Sequence, residues 1–170
     1  MKVKLNYYSN FLVAECFANQ GETFPIPEHD CNAATLGYYY SGNCEWSSSN
    51  TKFNMTRGEF SPFINSIEED LRNINIPEFE KISVNVLSDM HWVCMQSIQE
   101  NPGYVKNGTC ITIDTDQTVP AGNGVFVLDG TVTANDNGNL LSLAKFDYIN
   151  PRTYEYTVSG NGKAFLLQTI

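Results

Sequence analysis

The sequence predicts a mainly β protein, an antiparallel sandwich or barrel with one short amphipathic helix at about residues 61–75. Two observations carry the β assignment. Short apolar or alternating runs recur along the chain, and clusters of Gly, Asn, Asp and Pro separate them. Aromatic residues make up 12% of the chain, with nine Tyr and ten Phe, which suits the broad faces of sheets. A third observation supplies the exception: only one stretch switches to the period of a helix.

The opening residues 2–17 alternate through Val3, Leu5 and Tyr7, then Phe11 and Val13, as one or two strands do. Pro25 and Pro27 next keep the chain on the surface or along a sheet edge. Leu36 to Trp46 reads as a hairpin turning at Ser41-Gly-Asn43, and Lys52 to Thr56 as another strand. Ser61-Pro62 offers a helix cap and first-turn proline, Ile64, Ile67, Leu71 and Ile74 share a helical face, and Pro77 ends it.

Lys81 to Leu87 alternates again. His91 to Ile98 fits either period and is assigned to a strand because of its neighbours. Asn101-Pro-Gly103 and Lys106-Asn-Gly108 read as turns, and Cys110–Asp114 after them as an alternating strand. Beyond them come a strand at Val125–Leu128, a turn at Asp129-Gly130, strands at 131–134 and 140–143, and between these a turn at Asn135–Gly138. A strand at Tyr154–Val158, a turn at Ser159–Gly162 and a last strand at Ala164–Leu167 close the chain. No repeat or linker divides the 170 residues, so one domain is expected. Within it, residues 1–80 form an N-terminal elaboration and 81–170 a β meander.

Composition narrows function. With 42% hydrophobic and 17% charged residues the chain is a packed globule rather than a disordered segment. Nineteen acids against ten bases give a formal charge of −9, which repels polyanions, so no nucleic-acid partner is expected. No segment approaches the ~20 apolar residues of a membrane span, and Met1–Asn10 is too polar for a signal peptide. A cytoplasmic or virion-associated setting with reduced thiols is therefore expected. The five cysteines include no Cys-x-x-Cys. Spacing leaves pairings of Cys31 with Cys44 and of Cys94 with Cys110 open.

Residues 109–170 resemble the second half of a cupin, the double-stranded β-helix or jelly-roll family. The likeness is carried by Pro120-Ala-Gly122 with Val125-Phe-Val-Leu-Asp-Gly130, and by Phe146-Asp-Tyr-Ile-Asn-Pro151 with Tyr154 and Ala164-Phe-Leu-Leu167. It implies a jelly roll whose mouth, in metal-binding members, is lined by a His-x-His pair, an acid and a later histidine. Here Asn123-Gly-Val125 stands at the first place and Arg152-Thr-Tyr154 near the last. The resemblance therefore implies a degenerate cupin without the metal ligands, and no metal or other cofactor is expected.

Other chemistry is sparse. His29-Asp-Cys31 holds three ligand types in one loop, but His91 and Cys94 would have to complete the set and no known spacing supports it. Cys31 beside a histidine is likewise read as an ordinary thiol and not as a nucleophile. Tyr38, Tyr39, Tyr40 and Trp46 form the densest aromatic cluster and are the candidate interface residues, since alternation sends one tyrosine to the other face. Arg152 and Tyr154, carried to the barrel mouth by the cupin resemblance, are the candidate ligand-binding residues. The leading functional expectation is a non-enzymatic structural or interaction protein, a homo-oligomer or part of a larger protein assembly, such as a virion accessory or decoration component. The alternatives are a metal-free cupin binding a small ligand such as a carbohydrate, with isomerase-type chemistry, and a phage or bacterial regulator that inhibits another protein.

Overall fold

The structure, a computed structural model, describes residues 1–25, 35–47, 52–55, 60–61, 83–98 and 100–169. The helix expected at about residues 61–75 lies outside the described residues, apart from Ser61, which closes a short strand. Among the described residues every regular element is a strand, and no helix is long and apolar enough to cross a membrane.

The chain forms two compact units, Met1–Gln96 and Ser97–Ile170. The first is built on a seven-stranded sheet. Its strands are β1 (Lys2–Tyr7), β2 (Phe11–Ala18), β3 (Thr23–Pro25), β4 (Thr35–Ser47), β5 (Lys52–Met55), β6 (Phe60–Ser61) and β7 (Ser83–Ser97). The order is β1-β2-β7-β4-β5, with β3 on β7 and β6 on β4. The meander expected from residue 81 onward thus gives up its first strand: β7 lies within the N-terminal sheet, paired with β3 and β4 by register. One face of this sheet buries Cys16, Ala18, Tyr39, Val86, Met90 and Trp92 as a cluster.

The hairpin expected at Ser41-Gly-Asn43 is not a hairpin. β4 runs straight through it, and its pairing with β7 holds on both sides, Tyr39 opposite Trp92 and Cys44 opposite Val86, with register shifts between. Gly42 sits at φ 90°, and a Cβ there would meet the backbone of Asp89 and Met90. The residues that read as a turn form an irregular bulge, which a strand tolerates where its neighbour's backbone comes close.

The second unit is a six-stranded sheet of β8 (Val105–Ile113), β9 (Gln117–Val119), β10 (Asn123–Asp136), β11 (Asn139–Leu143), β12 (Tyr148–Ile149) and β13 (Tyr156–Thr169). Its order is β11-β10-β13-β8, with β12 on β10 and β9 on β13, and every pair is antiparallel. Here three more expected turns become strand. Lys106-Asn-Gly108 lies inside β8, Asp129-Gly130 inside β10 and Ser159–Gly162 inside β13. The last two face each other: Gly130 pairs with Gly162 and Val132 with Gly160, just past a bulge between Val127 and Asp129. Two long strands bend together there, and glycines let their backbones approach. The turn at Asn135–Gly138 is real. Asn137 and Gly138, at φ 52° and 88°, form the two-residue loop that favours Asn-Gly. The turn at Asn101–Gly103 is also present.

Val125, Val127, Ile149, Tyr156, Val158 and Ala164 fill one face of this sheet. Phe126 points to the other, fully buried, and stacks on Phe146 and Phe165 at centroid distances of 5.6 and 6.2 Å.

Candidate functional site

The cupin resemblance directs attention to the start of β10 and the loop before β13. Tight backbone bonds tie these segments together: Gly122 N–H donates to the Arg152 carbonyl at 2.8 Å, and Thr169 N–H to the Gly122 carbonyl at 3.1 Å. Asn123 turns its side-chain amide back onto the Pro120 and Ala121 carbonyls, both at 3.3 Å. Its own carbonyl accepts from the Tyr156 hydroxyl at 3.2 Å. Val125 is fully buried. Gly124 points the opposite way, where an added Cβ would run into the Tyr148 ring and the Ile149 carbonyl. Burial pushes the Tyr148 phenol up to about 12, and raises that of Tyr156 as well, so both stay neutral at physiological pH.

Arg152 and Tyr154 do converge, and they converge on a residue that sequence reading passed over as part of a turn. Asp136, at the end of β10, is 8% exposed. It accepts from the Tyr154 hydroxyl at 2.7 Å and from Arg152 Nε at 3.0 Å. Arg152 also donates through Nη1 to the Asn150 carbonyl at 3.2 Å. The Tyr154 hydrogen bond, and after it the Arg152 contacts, hold the Asp136 carboxyl below its usual value of 3.8, while the same contacts raise Arg152 and Tyr154. The fold thus favours the charged aspartate. Asp136 contributes stability above the ordinary aspartate value, and that contribution drains away as pH falls through the lowered one. The melting-temperature gap between wild type and Asp136→Asn should accordingly be widest near neutral pH and close below about pH 4. A gap that stays constant to pH 2 would contradict this.

A metal of the kind cupins hold does not fit here. At the positions matched to the His-x-His pair stand an amide already donating to main-chain carbonyls and a buried isopropyl group, and near the later histidine a guanidinium bound to Asp136. The isopropyl group and the guanidinium offer a cation no lone pair, which leaves at most the Asn123 amide oxygen in place of a set of three or four ligands. Among the described residues no three His, Cys, Asp or Glu side chains converge. His29 and Cys31 lie outside the described residues.

Of the candidate interface residues, the three tyrosines pack largely within the chain. Tyr38 and Tyr39 are 8% and 2% exposed and Tyr40 is half-buried. Tyr38 and Tyr40 meet edge to face at 4.9 Å on one side of β4, while Tyr39 joins the cluster on the other. The backbone of Trp46 pairs with Phe53 and Val84.

A second polar arrangement, in the first unit, has no signal in the sequence pattern. Glu15 on β2 is 8% exposed, and its Oε1 lies 2.8 Å from His91 Nε2 on β7, 76 residues away. The imidazole is stacked between Phe17 and Tyr40, each at 4.4 Å. Its Nε2 is thus engaged by Glu15, and Cys31, the thiol weighed as a nucleophile with it, lies outside the described residues. Cys16, Cys44, Cys94 and Cys110 are thiols and not halves of disulfides, which removes the pairings of Cys44 and Cys94 left open by spacing. Burial lifts Cys16 to about 11, and Cys94 and Cys110 to about 12, so none is a thiolate at neutral pH.

Two antiparallel sheets, a Pro/Gly loop leading into the long β10 and a mouth without metal ligands define the class: the chain has a cupin-like jelly-roll fold in degenerate form. Solved structures agree. The chain is similar to YlbA from Escherichia coli, at 10% identity and TM-score 0.57, covering 99% of this chain and 82% of that one. It is also similar to a cupin 2 conserved barrel domain protein from Leptotrichia buccalis, at 14% identity and TM-score 0.53, covering 99% and 89%. HutD from Pseudomonas fluorescens matches at 10% identity and TM-score 0.57, covering 94% and 79%. These likenesses concern the fold alone. No protein-family model matches the sequence, and no curated protein does.

Proposed function

We propose that this protein is a non-enzymatic, single-domain interaction protein, a cupin-like scaffold that works through its outer surface as a homo-oligomer or within a larger protein assembly. The observation that carries the proposal is the state of the mouth. Val125 is fully buried at one former ligand position, and the Asn123 amide at the other is turned onto its own backbone. A site built for chemistry keeps convergent polar groups facing an open cavity. In this chain the polar groups at the mouth bind one another. A finer form of the proposal places the protein on a virus or phage particle as an accessory or decoration component. Another makes it an inhibitor of a second protein through its acidic surface. Co-sedimentation with particles supports the first form, and a soluble heteromeric complex the second.

Binding of a small ligand such as a carbohydrate at Arg152 and Tyr154 is the competing proposal. It requires the ligand to displace Asp136 or to take up the outer nitrogens of Arg152. A thermal-shift panel of sugars and nucleotides separates the two. A true ligand at 100 times its Kd stabilises by about 2.7 kcal/mol, which for a chain of this size is roughly 5–10 °C. We expect no such shift. A shift that disappears in Arg152→Ala would replace the scaffold reading with the ligand reading. So would a full equivalent of zinc, iron or manganese in the untagged protein replace it with a metalloenzyme reading.

A further inference from the structure

Among the described residues of the first unit, one sheet edge carries a row of exposed apolar side chains. β1 ends the strand order, and among the described strands it pairs only with β2. By register Val3 lies opposite Cys16, Leu5 opposite Ala14 and Tyr7 opposite Leu12, so these three side chains extend the face that buries Cys16 and Ala18. Burial stops there. Cys16 is 7% exposed, whereas Val3, Leu5 and Tyr7 are 46%, 49% and 70% exposed. An edge strand carrying an exposed apolar row is a template for another strand.

We propose that β1 is the self-association site of this protein: two copies join their β1 strands antiparallel about a two-fold axis at Leu5, continuing one sheet across the dimer. This rests on the assembly reading above and gives it a surface and an occupant. The occupant is a second copy because the strand complements itself in one register. With the axis at Leu5, each Val3 faces Tyr7 of the other copy and the two Leu5 side chains face each other, so all three apolar residues are matched. On the reverse face each Lys4 then lies opposite Asn6 of the other copy. Moving the axis to Lys4 sets two ammonium groups directly opposite each other, which is destabilising. Moving it to Asn6 leaves Val3 opposite Ser9. The other lysine of the strand, Lys2, falls opposite Tyr8 of the other copy in the Leu5 register, and the Met1 ammonium is paired with Glu22 at 2.5 Å. Lys4 has the Glu15 carboxylate as its cross-strand neighbour on β2. The overall charge of −9 opposes association at long range, so the dimer should tighten as salt rises toward 0.5 M.

Two variants of the full chain test this. Leu5→Glu sets two carboxylates against each other on the axis and should weaken the dimer at least about 100-fold by analytical ultracentrifugation, with the circular dichroism spectrum unchanged. Leu5→Cys should give a disulfide-linked dimer on mild oxidation, because opposed residues have Cβ atoms about 5 Å apart. Val3→Cys should not, since its two copies would stand roughly 13 Å apart along the strands. The wild-type protein, whose described thiols are largely buried, is the control. A dimer that survives Leu5→Glu, with no link through Leu5→Cys, overturns the β1 interface but leaves the assembly reading in place. A protein that stays monomeric at high micromolar concentration overturns this inference and the homo-oligomer together.

Discussion

Gly130→Ala should lower the melting temperature by roughly 8–16 °C, while Gly138→Ala should lower it by only about 2–4 °C. Both glycines adopt left-handed backbone, at φ 80° and 88°. A side chain in that conformation costs about 1 kcal/mol at either place. The difference is the space around them. A Cβ at Gly138 meets nothing within 4 Å, whereas one at Gly130 overlaps the Asn161 carbonyl oxygen and the Gly162 Cα. Those atoms belong to the backbone of β13, in the most extensively paired ladder of the second unit, and cannot swing aside as a side-chain tip would. Overpacking of that kind adds about 3 kcal/mol. Failure of Gly130→Ala to fold, with Gly138→Ala folding normally, would agree with this account. Equal shifts for the two variants would show that β10 and β13 do not meet at this bend.

The second large effect is expected at the Glu15–His91 pair. His91→Ala should destabilise the protein by about 3–5 kcal/mol, because it leaves a nearly buried carboxylate without its imidazole partner. Part of the loss is the stacking against Phe17 and Tyr40. Glu15→Gln keeps a hydrogen-bonding group at the same place and should cost only about 1 kcal/mol. The two residues touch, so their effects should not add. The double variant His91→Ala with Glu15→Ala should be about 2 kcal/mol more stable than the sum of the single changes predicts. Urea denaturation of the wild type, His91→Ala, Glu15→Ala and the double variant measures this directly. Strict additivity would mean that the 2.8 Å contact carries no weight in solution.

The candidate mouth was half legible in the chain. Arg152 and Tyr154 were placed there by resemblance, and they do meet. Asp136, the residue they meet on, is a turn residue by every local rule, and it becomes the centre of the cluster only because the end of β10 lies beside the loop before β13. The Glu15–His91 pair was not legible at all, since no pattern links positions 76 residues apart on β2 and β7. The aromatic cluster at Tyr38–Tyr40 shows the opposite effect. Alternation divided its rings correctly between two faces, but could not tell that both faces are covered from within the chain.

What the sequence alone determined was the class of the protein and much of its punctuation. Alternating runs and β-branched or aromatic residues encode strands, and Asn137-Gly138 encodes its turn, because both depend on a few neighbouring residues. Whether the glycines at 42, 108, 130, 160 and 162 end a strand or bend it was decided only by tertiary structure. Glycine permits either conformation, and the choice goes to the backbone that approaches it: β7 beside Gly42, and β10 and β13 beside each other. Burial of Glu15 and Asp136 was decided in the same way, by partners that sequence distance conceals.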